Sequence, residues 1–185
     1  TPYQYEDVSF SVLAAPLKLD EAYNVSAQAA AAVVSRLRSE YDYLVLDTTA
    51  AFSELNLALM DLSTIITFVG IVDFIPTIKN MKVGYDTMRG IGYDQNKIRF
   101  VLNRSKSKTK LEDVEQLLEE PFYHVLPNDF TAAGQSIHKG VPLVLDGQNA
   151  LAGGLKELVA KYTNRLQESS KGKASFSSLV KRFFK

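Results

Sequence analysis

Five short apolar runs punctuate this sequence, and between them lie longer stretches whose apolar residues recur at helical spacing. The runs fall at residues 10–14, 43–47, 64–71, 97–103 and 123–126 and are rich in Val, Ile, Leu and Phe, as strands buried on both faces are. Asp20 can cap a helix running to about Ser39, with Val25, Ala29, Val33 and Leu37 on one face. A second helix is expected from about Pro76 to Arg89, stopping at Gly90. Leu111, Val114, Leu117 and Leu118 mark a third, ended by Pro121, and Leu151, Leu155, Leu158, Tyr162 and Leu166 mark a longer one. Strands that alternate with helices in this way must run parallel, because each helix carries the chain back over the sheet. The expected fold class is α/β: a mostly parallel sheet with helices on both faces.

The bulk numbers suit one sizeable core, with 185 residues of which 46% are hydrophobic and 23% charged. There are no cysteines, which excludes disulfides, thiolate metal sites and cysteine nucleophiles. His124 and His138 are the only histidines, too few for a histidine-built metal centre. No stretch approaches the ~18 uninterrupted apolar residues of a membrane span, and the first residues lack the basic-then-apolar layout of a signal peptide. The chain is therefore not expected to cross a bilayer.

Net charge is zero, but unevenly spread. Lys171, Lys173, Lys181, Arg182 and Lys185 give the last 15 residues five bases and no acid, leaving 16 bases against 21 acids in residues 1–170. This asymmetry implies a basic tail with its own partner, while an acidic body argues against nucleic-acid binding spread over the fold.

Three strand candidates end in polar residues. "YDYLVLDTTAAF" (41–52) ends its apolar run in Asp47, "KIRFVLNRS" (97–105) in Asn103 and Arg104, and "FYHVLPNDF" (122–130) in Pro127, Asn128 and Asp129. In open α/β sheets the carboxyl ends of the strands line the ligand crevice. Asp47 there can act on a ligand or a hydrated metal ion, or simply open a turn. The Asn103 carboxamide offers a donor beside an acceptor, the pairing that fits the N6/N7 edge of adenine; a plain turn residue after a strand is the alternative. Asp129 can serve a ligand, cap a helix through Ala132 and Ile137, or do both.

The order of these pieces resembles the MinD/ParA family of deviant P-loop ATPases, which position cellular machinery on membranes or nucleoids. "FSVLAAP" (10–16) is similar to the strand before the helix that leads to Walker B, and "YDYLVLDTTAAF" to the Walker B strand, which usually ends D-x-P-A-G. "VLNRS" is similar to the adenine-contacting strand end, and "LEDVEQLLEEPFYHVLPNDFTAAGQSIHKGVPLVL" (111–145) to the block with a P-E-D turn and a later K/Q-G-x-P segment. Within the family the sequence resembles most the TadZ/CpaE group of pilus-assembly proteins. The resemblance implies ATP and Mg²⁺ as cofactors. It places Asp47 at the water shell of Mg²⁺ and Asn103, Arg104, Pro127 and Asp129 around base and ribose. It also implies a homodimer that binds protein partners of the positioned machinery, in the cytoplasm at the inner face of the cell membrane.

Two departures bear on activity. A P-loop needs G-x-x-x-x-G-K-[ST] so that backbone N–H groups and a lysine hold the phosphates, and no such match exists here. The simplest expectation is a C-terminal fragment, its sheet incomplete without an N-terminal part that carries the P-loop. The family's glycine after Walker B aligns with Ala51 and its proline with Thr49, which puts hydrolysis in doubt. A degenerate, non-hydrolysing localisation scaffold acting through protein contacts is therefore the alternative to an ATPase.

The division expected is residues 1–166 as the C-terminal part of the ATPase domain, a Ser-, Lys- and Gly-containing linker at 167–174, and "SFSSLVKRFFK" at 175–185. There Phe176, Leu179, Val180, Phe183 and Phe184 form one apolar stripe with Lys181 and Arg182 off it. Basic residues beside buried aromatics suit an anionic lipid surface. A last helix docking on its own domain or on a partner is the alternative, and resemblance to the short C-terminal helix of MinD favours the membrane.

Overall fold

Hydroxyl side chains decide where the first long helices of this protein begin. The structure, a computed structural model, describes residues 2–5, 8–71, 75–105, 110–146 and 149–164. These fall into two compact units that meet in sequence at Thr64 and Ile65. In the first, strands β1 (Pro2–Tyr5) and β2 (Val8–Ser11) pair antiparallel, Pro2 opposite Ser11 and Tyr5 opposite Val8. Helices α1 (Leu19–Tyr23), α2 (Ala27–Leu37) and α3 (Glu54–Leu62) come next in the chain. Ser26 Oγ accepts the Ala29 N–H at the start of α2, and Ser53 Oγ accepts the Asn56 N–H at the start of α3.

Three expectations need correction here. The strand placed at 10–14 is instead Val8–Ser11 and sits in a hairpin, because an adjacent antiparallel partner closes a much shorter loop than a parallel one. Asp20 is no cap: it lies inside α1, and its carbonyl accepts from the Asn24 side chain where the helix stops, before Ser26 starts a separate one. The face that α2 buries is Ala27 and Val34, with Ala30 and Ala31 half-buried, while Val25 and Val33 are exposed. Alanines let α2 approach α3 closely, and that close approach outweighs the bulkier valine stripe.

Residues 43–47 form no strand, and Val45 is 92% exposed. The segment joins neither sheet of the described residues. A parallel strand exists through the N–H and C=O groups of its neighbours as much as through its own sequence.

The second unit is built on three parallel strands in the order β3 (Ile66–Gly70), β4 (Ile98–Ser105), β5 (His124–Pro127). Its helices are α4 (Ile75–Gly90), α5 (Leu111–Leu118), α6 (Phe130–Lys139), α7 (Leu143–Asp146) and α8 (Ala150–Tyr162). Ile98, Phe100, Val101 and Leu102 of β4 are all buried, as a strand with two paired edges and two covered faces requires. Phe68 and Phe100, opposite each other in register, face α4, where Tyr85 meets Phe100 edge-on at 5.1 Å between centroids. Thr67 and Arg99, one residue out of phase with that pair, face the other side, where the Tyr162 hydroxyl of α8 meets Thr67 Oγ1 at 2.7 Å. Helices therefore cover both faces of this parallel sheet, the expected α/β class.

Close approach sets two of these contacts. Gly70 leaves room for the Met81 sulfur of α4, which a Cβ would overlap. A Cβ on Gly154 of α8 would come within 3.1 Å of Leu126 Cδ2, and the Gly154 carbonyl accepts the Nε2–H of buried His124 at 2.8 Å.

Polar groups also join α4 to the two residues that follow α5. Tyr85 donates its hydroxyl hydrogen to Glu120, and Lys82 is bracketed by Asp86 at 3.1 Å and Glu119 at 2.7 Å. Burial, then the Glu120 carboxylate, pushes the Tyr85 phenol up to about 12. The neutral phenol is thus the folded form's preference. Its contribution is complete below the ordinary phenol value near 10 and is lost as pH rises through about 12. Urea unfolding midpoints measured between pH 8 and 12 should fall steeply above pH 10 in the unaltered protein. Tyr85→Phe should cost about 1–2 kcal/mol at pH 7 and flatten that alkaline decline.

Candidate functional site

The carboxyl ends of β4 and β5 bring four of the expected site residues together. Between Leu102 and Ser105 strand β4 has one residue more than β5 has between Val125 and Pro127, a bulge at Asn103 and Arg104. Arg104 takes a left-handed backbone, φ 56°, uncommon for a residue with a side chain. Its N–H is held by Asn103 Oδ1 at 2.9 Å, which also fixes which end of that carboxamide is oxygen. Oδ1 keeps a second lone pair and Nδ2 both its hydrogens, so the donor–acceptor edge that adenine needs survives the bulge. Across the gap, the Asn128 N–H bonds the Ser105 carbonyl at 3.0 Å, fixing Pro127 and Asp129 beside the bulge.

Asp129 Oδ1 accepts the Ala132 N–H at 2.9 Å as the cap of α6, so the capping role expected of it is present. Its second oxygen is left for a hydroxyl such as a ribose would offer. Asn103 and Asp129 are half-buried and Arg104 is exposed, an arrangement with a specific wall and a charge at the rim.

Asp47 belongs to the other unit and is exposed. The loop beyond it, residues 49–51, is held by Asn56, a residue that none of the motifs contains. Asn56, only 5% exposed on α3, donates from Nδ2 to the Thr49 carbonyl at 3.2 Å, Thr49 Oγ1 at 2.9 Å and the Ala51 carbonyl at 2.7 Å. Two hydrogens serve three acceptors, so the 49–51 backbone is fastened to the first turn of α3. One signal in the sequence points to it: Asn56 is the lone carboxamide of "ELNLALMDL", set between leucines. Among the described residues the non-glycine positions with positive φ are Arg104, Glu119 and Asn164, so Ala51 occupies backbone open to any residue.

Among the described residues no three His, Asp or Glu side chains gather as a metal site. A single carboxylate such as Asp47 still suits Mg²⁺, which keeps several waters and takes other oxygens from phosphates. Phe176, Leu179, Val180, Lys181, Arg182, Phe183 and Phe184, the expected membrane-binding residues, lie outside the described residues, as does the linker at 167–174. Among the described residues no helix is long and apolar enough to cross a membrane.

The sequence matches no family model and no curated protein. The fold does match solved structures. A ParA family ATPase from Chlorobium tepidum superposes with a TM-score of 0.72 at 15% identity, over 77% of this chain and 60% of that one. MinD from Pyrococcus horikoshii, solved with Mg-ADP, gives 0.65 at 19% identity over 86% and 65% of the two chains. The Aquifex aeolicus MinD cell division protein gives 0.64 at 14% identity over 76% and 61%. The chain has the fold of ParA/MinD ATPases and spans 60–65% of the length of these structures.

The carboxamide latch has a measurable consequence. Asn56→Asp keeps the shape but replaces the donor by a buried acceptor facing two carbonyls, and should cost about 3 kcal/mol, more than the 1–2 kcal/mol of Asn56→Ser. Hydrogen exchange should speed up over residues 49–57 in both variants and stay unchanged over 98–105. Equal stability of Asn56→Asp and the unaltered protein would show that the latch does not exist.

Proposed function

We propose that this chain is the carboxyl-terminal part of a ParA/MinD-like ATP-binding protein that positions a machinery at the inner face of the membrane. The observation that carries the reading is the meeting of Asn103, Arg104, Pro127 and Asp129 at the carboxyl ends of two parallel strands, in a sheet of ParA/MinD fold. Asn103 would read the adenine edge, Asp129 the ribose, and Asp47 the hydrated Mg²⁺. The phosphate loop would come from residues beyond these 185, since no G-x-x-x-x-G-K-[ST] occurs among them. The TadZ/CpaE type of pilus-assembly protein is the branch we favour, on the resemblance of its motifs.

ATP-dependent dimerisation would present two basic, aromatic tails together, so that a weak single anchor becomes a firm double one. Thr49 and Ala51 favour a second reading, a nucleotide-binding scaffold without hydrolysis. Mg²⁺-dependent phosphate release by the full-length protein separates the two.

The 185-residue chain alone should bind Mg-ATP weakly or not at all by calorimetry, because charge and N–H donors at the phosphates supply much of a nucleotide's affinity. In the full-length protein Asn103→Ala should weaken ATP by about 1–3 kcal/mol and leave pyrophosphate unchanged. Equal affinity of the unaltered protein for ATP and GTP would defeat the assignment. Phe183→Glu with Phe184→Glu should abolish cosedimentation with anionic vesicles, and undiminished binding would refute the membrane role of the tail.

A further inference from the structure

At the opposite end of the sheet from Asn103, two cations gather around one ring. Arg99, second residue of β4, places its guanidinium carbon 5.4 Å from the Tyr123 ring centroid, and Lys161, in the last turn of α8, places Nζ 5.5 Å from the same centroid. Lys161 also donates to the Tyr123 carbonyl at 2.8 Å, and Arg99 to the carbonyl of its neighbour Ile98 at 2.9 Å. Tyr162 stacks on Tyr123 at 5.2 Å, and its hydroxyl is tied to Thr67.

Like charges brought together repel, and proteins ordinarily relieve that with a carboxylate. Lys82, in the same unit, has two. Among the described residues neither Arg99 nor Lys161 has a carboxylate within ion-pairing distance. Both are half-buried, and Thr67, opposite Arg99 in register, is exposed. Ring contacts orient the two charges but do not neutralise them. The cluster thus keeps its positive charge.

The chain itself indicates which surface. The last described residue, Asn164, lies three positions after Lys161. From there the sequence runs on into the basic, aromatic tail, whose last 15 residues carry five bases and no acid. Whatever the tail binds is tethered to Lys161 through a short stretch of chain, which raises its local concentration there. Paired tyrosines flanked by cations suit the headgroup level of a bilayer, where rings with one wet end are favoured.

We propose that Arg99, Lys161, Tyr123 and Tyr162 form a second contact with an anionic lipid bilayer, at the end of the helix that precedes the tail in the chain. This rests on the membrane reading of the tail. It also sets an orientation: the amino end of the sheet meets the lipid, and Asn103, four residues further along β4 and about 13 Å away, opens toward water.

The test uses full-length protein and vesicles of phosphatidylcholine with or without 30% phosphatidylglycerol. Each basic residue near an anionic surface is worth about 1 kcal/mol, roughly fivefold in partitioning. Arg99→Gln with Lys161→Gln should therefore weaken binding to the anionic vesicles on the order of 25-fold, whereas the charge-keeping exchange Arg99→Lys with Lys161→Arg should stay within about threefold of the unaltered protein. Acylation of Lys161 by a water-soluble ester, read by mass spectrometry on the unsubstituted protein, should fall several-fold on anionic vesicles and not on neutral ones. That measurement holds even if a variant folds poorly. Unchanged Lys161 labelling, or unchanged binding of the glutamine pair while the Phe183→Glu, Phe184→Glu protein no longer binds, overturns the second contact and leaves the tail standing. Undiminished binding by the tail variant overturns the tail reading instead. Loss of polyglutamate binding by the glutamine pair, with vesicle binding intact, would overturn the lipid contact and identify an acidic protein segment as the true partner.

Discussion

Everything in the unit from Ile65 onward depends on β4 being paired on both edges and covered on both faces. Val101 and Leu102 are almost wholly buried, and such a strand cannot shift register by one residue without exchanging its two faces. That requirement sends Phe100 to Tyr85 and Phe68 on one side and Arg99 to Tyr123 on the other. It also fixes where regular pairing gives out. The bulge at Asn103 and Arg104 comes at the carboxyl end of the strand, where Asn103 and a left-handed Arg104 depart from regular sheet pairing. Interior packing and the candidate base site are thus two ends of one strand.

How much of this is legible in the sequence depends on whether a signal is local. Strands β3, β4 and β5 and helices α4 and α5 lie where the apolar runs and the stop at Gly90 place them, because buried parallel strands and capped amphipathic helices announce themselves within a few residues. Asn103, Arg104, Pro127 and Asp129 are legible for the same reason, as polar residues that end apolar runs. The segment 43–47 reads as strongly as any of these and yet forms no strand, because pairing partners are not a property of the segment. Helix α3 is hard to see because "ELNLALMDL" buries a polar residue, Asn56, where an apolar stripe would be expected. The buried face of α2 departs from the valine stripe since valine outranks alanine in hydrophobicity but not in how closely it lets a neighbouring helix approach.

The least legible feature is the link between Asn56 and the loop after Asp47, since nothing in a sequence shows that a carboxamide on one element will find two carbonyls on another. It changes the meaning of Thr49 and Ala51. A proline and a glycine shape a loop through their own backbone preferences, one by fixing φ and the other by permitting what side chains forbid. Here neither device is present, Ala51 needs no left-handed backbone, and the loop's shape is imposed from outside by three hydrogen bonds to a buried amide. A loop held in this way is coupled to its helix: residues 49–51 can rearrange only by releasing Asn56 or by carrying α3 with them. Because a released Asn56 would be a buried donor without a partner, moving loop and helix together is the less costly path. If Asp47 answers to a hydrated metal ion, as the functional reading has it, that response is transmitted to α3 through Asn56. Ala51 in place of a glycine then does not by itself decide how the loop behaves, since a side-chain tether rather than backbone preference holds its shape.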